Sequence, residues 1–263
     1  MAFTIDLKDK VVLVTGVSSG IGLGVARQFA IAGARIAGCS RKTLDDENIS
    51  VYFDTVEREG SEAFYVQADV TKPQDLERLV KKVIDFYGRI DVLVSNAGMN
   101  VFEGAEHCDE GQWKYNLDLN LASHWRLAKL CKPYLEKSGE GVILLMTSNH
   151  AYYTIPGCFP YNVTKAAMTG LVHSLAIEWA PAIRTVGVAP GFIDTAGNNT
   201  WFESFPDADA ERQRTIDHHP VKQLGTVDEV GALCVYLASP MARFMNGTTI
   251  LMDGGRSALM QDF

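Results

Sequence analysis

Tyr161 and Lys165 stand four residues apart in a segment, about 160–179, whose pattern predicts a helix, so a phenol and an ammonium share one face. A phenol with its ordinary pKa of about 10 is a poor base at neutral pH, and a neighbouring ammonium lowers that value toward the useful range. Ser148 closes the preceding apolar run and can hydrogen-bond an oxygen held beside the tyrosine, with Thr147 as its competitor. The chemistry these groups suit is proton transfer at a hydroxyl or carbonyl oxygen. Asn120, in Asn116-Leu117-Asp118-Leu119-Asn120-Leu121, reads by residue type as a cap or a partner for buried backbone.

A second constellation lies near the start. Thr15-Gly16-Val17-Ser18-Ser19-Gly20-Ile21-Gly22 follows the strand-like run Val11-Val12-Leu13-Val14 and opens a helix carrying Ile21, Val25 and Phe29. A tight turn that lets backbone approach an anion favours residues without a Cβ, and the helix N-terminus offers free N–H groups to a pyrophosphate. The next strand, Arg35-Ile36-Ala37-Gly38-Cys39, leads into Ser40, Arg41 and Lys42. An acid at that strand end binds a ribose 2′-hydroxyl and a base accepts a 2′-phosphate. Arg41 can fork onto a phosphate, so NADP(H) is the preferred reading and NAD(H) the alternative, with Asp45, Asp46 and Glu47 offsetting some positive potential.

The elements that must hold these groups alternate along the chain. Apolar runs at 63–66, 91–95, 141–146, 185–188 and 248–251 are separated by helical patterns, one starting at Pro73 and stopping at Gly88 and another spanning about 109–136. Continuous apolar strands alternating with helices predict an α/β chain whose parallel sheet is covered on both faces. The segment 194–222, rich in Asn, Asp, His and aromatics, reads as an irregular, substrate-binding loop.

Taken together, Thr15-Gly16-x-x-x-Gly20-x-Gly22, Asn96-Ala97-Gly98, Tyr161-x-x-x-Lys165 and Pro190-Gly191 resemble the short-chain dehydrogenase/reductase family over essentially the whole chain. The resemblance implies one domain over 1–263, a Rossmann-type doubly wound parallel sheet with helices on both faces, and hydride transfer between a nicotinamide and a carbinol or carbonyl carbon. Its catalytic set maps onto Asn120, Ser148, Tyr161 and Lys165; the family's separation of 13 decides for Ser148, and Asn120 would hold a water in a proton relay. Lys165 would also grip the nicotinamide ribose. The cofactor would meet Gly16, Ser18, Ser19, Gly20, Ile21, Gly22, Ser40 and Arg41, Asp69 and Val70 at the adenine, Asn96, Ala97 and Gly98, and Pro190, Gly191, Ile193 and Thr195 beside the nicotinamide. Three positions depart from the pattern: Ser95 replaces an Asn, Val186 replaces another, and Ser19 leaves the glycine turn without a base. The resemblance also implies a homotetramer or homodimer built on the helices near 109–136 and 160–179.

For the substrate, Asn100, Ser148, His150, Tyr153, Tyr161, Asn198 and Trp201 suggest a polar, hydroxylated molecule such as a sugar or polyol, while Phe102, Phe159, Phe192 and Phe202 would equally wall a ketone pocket. A 3-oxoacyl thioester reductase is the neighbouring alternative, disfavoured by the acidic balance of 194–220, and a non-catalytic nucleotide sensor is the alternative of another class. The 263 residues are 47% apolar, which excludes disorder, and 24 Lys and Arg against 32 Asp and Glu give a formal net charge of -8, a poor match to nucleic acid or anionic membrane. His218-His219 and the other histidines show no metal-ligand spacing. Five scattered cysteines, no membrane-length apolar run and no signal-like start at Met1-Ala2-Phe3 place the chain in the cytoplasm by expectation.

Overall fold

The computed structural model describes residues 4–259; the start at Met1-Ala2-Phe3 lies outside them. Seven strands pair in parallel in the order β3-β2-β1-β4-β5-β6-β7: β1 (Val11–Thr15), β2 (Arg35–Ser40), β3 (Ala63–Gln67), β4 (Val92–Ser95), β5 (Gly141–Met146), β6 (Ile183–Pro190) and β7 (Thr249–Met252). Every strand therefore ends at the same edge. The order reverses between β1 and β4, which opens a crevice beyond their carboxyl ends, the place where such sheets bind ligands.

Period-two alternation sorts the buried strand residues into two layers. Val12, Val14, Val92, Val94, Val142 and Leu144 face α1 (Gly20–Ile31), α2 (Glu47–Arg58) and α9 (Val227–Ala238). Val11, Leu13, Leu93, Ile143 and Leu145 face α3 (Pro73–Tyr87), α5 (Ser123–Lys137) and α6 (Tyr161–Glu178). Both layers must be apolar because the sheet is covered on both sides, which is why the strands read as continuous rather than alternating runs.

Three segments differ from the sequence expectation. The stretch near 109–136 is not one helix: α4 (Glu110–Leu117) passes through a π-helical turn, Asp118–Ala122, into α5. The segment 194–222 is not irregular, because Thr195 accepts the N–H of Asn198 and starts α7 (Ala196–Glu203), and Asp207 accepts that of Ala210 and starts α8 (Ala208–Asp217). Asn, Asp and Thr suit loops, but in these places they cap. Finally α9, unforeseen, opens on a reciprocal capping box between Thr226 and Glu229.

Helices α1 and α9 pack closely enough that side chains are excluded at the contact. A Cβ on Gly231 would stand 2.8 Å from the Gly24 carbonyl and 2.6 Å from Gln28 Cγ. Since α1 carries the glycine turn at its N-terminus, this contact fixes where that turn sits on the sheet. Gly231→Ala is expected to destabilise the fold by about 1–3 kcal/mol through overpacking, measured by urea unfolding.

Candidate active site

The glycine turn bridges β1 and α1, and its side of the crevice is knitted to β4. Thr15 Oγ1 accepts the N–H groups of Asn96 and Ala97, each at 2.9 Å, and Asn96 Nδ2 donates to the Thr15 carbonyl at 2.9 Å. The Asn96 side chain is thus a brace, and a Cβ on Gly22 would stand 2.1 Å from the Gly16 carbonyl and 2.7 Å from Asn96 Nδ2. Ser19, the N-cap of α1, makes no side-chain cap bond and the first turn holds no acid, so the leading N–H groups and the positive helix end are left for an anion. This cradle fits a dinucleotide pyrophosphate on Gly16, Ser18, Ser19, Gly20, Ile21 and Gly22. Thr195 closes it from the far side, its methyl 3.5 Å from where a Gly20 Cβ would be.

The rest of the crevice lies along the strand ends. Asp69 holds Thr71 through its carboxylate, and Val70 is buried beside it. Gly191 is bonded to the Met252 carbonyl at 2.9 Å, and Ile193 bridges to Gly225, which fixes the turn after Pro190. At the β2 end Arg41 is exposed with no ion pair among the described residues, while Lys42 pairs with Asp46 at 2.9 Å.

Beyond β5 and at the start of α6 the acid–base groups converge. Lys165 is 3% exposed; its Nζ donates to the Met146 carbonyl at 3.0 Å and lies 5.4 Å from the centre of the Tyr161 ring. Thr147 Oγ1 donates to the Lys165 carbonyl at 2.9 Å and so serves the fold, whereas the Ser148 hydroxyl beside Tyr161 donates to Asn149 Oδ1 at 3.3 Å and accepts the His150 N–H. The expectation that the ammonium pulls the phenol down is reversed. Burial pushes Tyr161 up to about 12, opposed by its bond to Ser148, and burial lowers Lys165 to about 8. Desolvation penalises the charged form of each group and sets both directions.

Asn120 lies in the π-helical turn, where an extra residue aims a side chain inward. Its Nδ2 donates to the Met99 carbonyl and to Asn116 Oδ1, both at 2.9 Å, while its Oδ1 accepts the Met99 N–H at 3.1 Å. A Cβ on Gly98 would stand 2.7 Å from Asn120 Oδ1 and 3.7 Å from Lys165 Nζ, so the three border one space. Asn116, which sequence reasoning did not single out, is fully buried and donates to the Pro160 carbonyl at 3.0 Å, immediately before Tyr161. A second unforeseen pair joins Ser95, one of the departures from the family pattern, to His124 Nδ1 at 2.7 Å; burial and the neighbouring Lys165 charge lower that imidazole to about 3. Its signal was a lone His one turn beyond Asn120 on the same face.

The mouth is more aromatic than the sequence suggested. Asn198 Nδ2 is engaged with the Ile193 carbonyl at 2.6 Å, Asn199 Oδ1 with Arg212 at 3.1 Å, and His150 Nδ1 with Thr154 at 3.1 Å. Phe102 and His150 stand edge-on to Tyr161 or tilted to each other, with ring centres 5.4 to 6.0 Å apart. Tyr153 and Trp201 are exposed, Trp201 resting on Phe192, Phe202 and Phe205, and Asn100 lies exposed after the Gly98 turn. Among the described residues no cluster of His, Cys, Asp and Glu forms a metal site, and no helix is long and apolar enough to cross a membrane.

A buried ammonium with one protein acceptor is a burden on the fold. Its value lies below that of an exposed lysine, so the unfolded chain binds the extra proton between about pH 8 and 10.5 and stability from this group rises with pH across that window. Lys165→Met is expected to raise stability at pH 7, by on the order of 1–3 kcal/mol, and to lose that advantage above pH 8; thermal unfolding of both proteins across pH checks it.

Comparison with known proteins agrees with this architecture. Residues 16–257 match a family model described as enoyl-(acyl carrier protein) reductase. A pig protein, dehydrogenase/reductase SDR family member 4, is 34% identical over 255 residues, covering 96% of this chain and 88% of its own. The ligand-free aldohexose dehydrogenase of Thermoplasma acidophilum superposes with a TM-score of 0.88 at 29% identity, over 98% of both chains. A 7α-hydroxysteroid dehydrogenase complexed with NADH and 7-oxo glycochenodeoxycholic acid gives 0.88 and 29%, over 97% and 98%. With the parallel sheet, the braced glycine turn and these matches along nearly its whole length, the chain belongs to the short-chain dehydrogenase/reductase family.

Proposed function

We propose that the chain interconverts a secondary alcohol and its carbonyl with NADP(H) as the preferred cofactor. The observation that carries this is the enclosed Ser148–Tyr161–Lys165 cluster at the carboxyl edge of the sheet, facing the glycine cradle. When bound, the nicotinamide accepts or supplies the hydride. Tyr161, held neutral by burial, gives its proton to the substrate oxygen in reduction; in oxidation it first passes its own proton out past Lys165 and, as phenolate, takes up the alcohol's. Ser148 hydrogen-bonds that same oxygen, and Lys165 carries a positive charge beside the phenol when phenolate forms. Asn120 braces the Met99 backbone, and a water held between it and Lys165 would be the path by which the tyrosine regains its proton. Gly16–Gly22 would hold the pyrophosphate of a dinucleotide, Asp69 and Val70 its adenine, and Pro190, Gly191, Ile193 and Thr195 its nicotinamide. NADP(H) over NAD(H) is supported by the Arg41 guanidinium, without an ion pair among the described residues, and by Asp46 being occupied with Lys42.

For the substrate, the rings of Phe102, Tyr153 and Trp201 favour a cyclic alcohol or ketone whose flat apolar face lies against them. Sugars belong to that class, open-chain polyols less so now that Asn198 and His150 are engaged with the protein. The aldohexose and hydroxysteroid in the two structural neighbours' names are both cyclic alcohols. Tyr161→Phe is expected to lower turnover by about 10²–10⁴ on whichever ring alcohol or ketone is turned over, with NADPH affinity essentially unchanged. Full turnover in that variant refutes the mechanism, and silence of the wild type against the whole panel with tight cofactor binding favours a nucleotide sensor.

Helices α5 and α6 present Trp125, Val163 and Ile177 to solvent, at 45%, 38% and 79% exposure, which supports a homotetramer or homodimer formed on these faces. Light scattering during size exclusion is expected to give a multiple of the chain mass; Ile177→Lys lowers it.

A further inference from the structure

The turn that follows β2 is held from behind by β3. The Ser40 carbonyl accepts the Ala68 N–H at 2.8 Å, the Arg41 carbonyl accepts Gln67 Nε2 at 3.1 Å, and the Lys42 carbonyl accepts the Tyr65 phenol at 2.7 Å. All three carbonyls of the turn are thus tied to one neighbouring strand end, itself fastened by Arg78, which donates to the Gln67 carbonyl at 3.0 Å.

Donor logic makes the Tyr65 contact a closed ring. A carbonyl only accepts, so the single phenolic proton goes to Lys42 O, the nearer of two carbonyls, the other being Ser40 O at 3.1 Å. The phenolic oxygen is then the acceptor for the Ser40 hydroxyl at 2.8 Å, and Ser40 Oγ in turn accepts the Lys42 N–H at 3.2 Å. The chain of bonds begins and ends on Lys42, with every donor and acceptor assigned one way, and such rings strengthen cooperatively. Burial raises the Tyr65 phenol above its ordinary value, so the donor keeps its proton across the working pH range. Arg41 is the residue enclosed between the two anchored ends, and its guanidinium has no ion-pair partner among the described residues.

We propose that Tyr65 is a positioning residue for cofactor choice: through its ring of hydrogen bonds with Ser40 and Lys42 it presets the backbone at Arg41 to receive the 2′-phosphate of NADP(H). This rests on the NADP(H) reading above. Ser40 then acts by shaping the turn, its hydroxyl proton already committed to Tyr65. A preset turn avoids the ordering cost of binding, and that saving applies to the cofactor with the phosphate and not to the one without it.

Fluorescence titration of the wild type, Arg41→Ala and Tyr65→Phe with NADPH and NADH tests this, together with amide hydrogen exchange over residues 40–46. In Tyr65→Phe the NADPH Kd is expected to rise about five- to tenfold, NADH binding to stay within about twofold, and exchange at Lys42 to quicken. Equal weakening of both cofactors overturns the proposal in favour of simple support of the fold, and faster exchange with an unchanged cofactor ratio overturns it as well. A wild type without NADPH preference, indifferent to Arg41→Ala, instead refutes the NADP(H) reading and removes the ground of this proposal with it. Ser40→Ala opens the same ring from the β2 side and is expected to reproduce the ratio change, so the outcome does not hang on whether β3 tolerates the loss of one hydroxyl.

Discussion

Lys165 is an ammonium enclosed by the protein, and much of the surrounding structure follows from holding it there. Its stem crosses the top of β5 so that Nζ reaches the Met146 carbonyl, which requires α6 to lie close over that strand end. Thr147 secures the approach by bonding the Lys165 carbonyl in return. The burial that desolvates the amine desolvates Tyr161 as well, and both groups shift toward their neutral forms for the same reason. A phenol that keeps its proton beside an amine that titrates near neutrality is a pair able to pass a proton, whereas two fully solvated groups would have their ordinary values and no coupling.

The polar groups around this pair form a scaffold rather than a reactive set. Asn116 spans from Asn120 to the backbone before Tyr161, so the segment after Gly98 is tied to the start of α6. The Ser95–His124 pair fills the position next to Lys165 with an imidazole that stays neutral, adding a dipole without a second charge. At the other end of the crevice Thr15 and Asn96 join β1 to β4 across the point where strand order reverses. Each bond satisfies a group that would otherwise be buried unpaired, and that requirement makes the site rigid.

Glycine placement and the Tyr–Lys spacing were legible because each follows from a local rule: a turn that a Cβ would block, and a helical period of four. The strands were legible because both sheet faces are covered. What escaped had local signals pointing elsewhere. Thr195 and Asp207 look like loop residues until the chain places an N–H within reach, and the π-helical turn at Asn120 has no composition of its own. The polar surface inferred for the substrate mouth shrank because Asn198, Asn199 and His150 find partners in the protein, which residue type does not reveal.

The sequence by itself determined the sheet, the glycine turn, the order of the elements and the candidates for the reacting groups, since these depend on period, Cβ sterics and chemistry within a few residues. Only the tertiary structure decided the sign of the Tyr161 shift, the pairing of Ser95 with His124, and the ring that ties Ser40 and Lys42 to Tyr65. Those depend on desolvation and on hydrogen bonds to residues 23 to 29 positions away, and such distances are set by how the sheet is assembled rather than by any neighbouring residue.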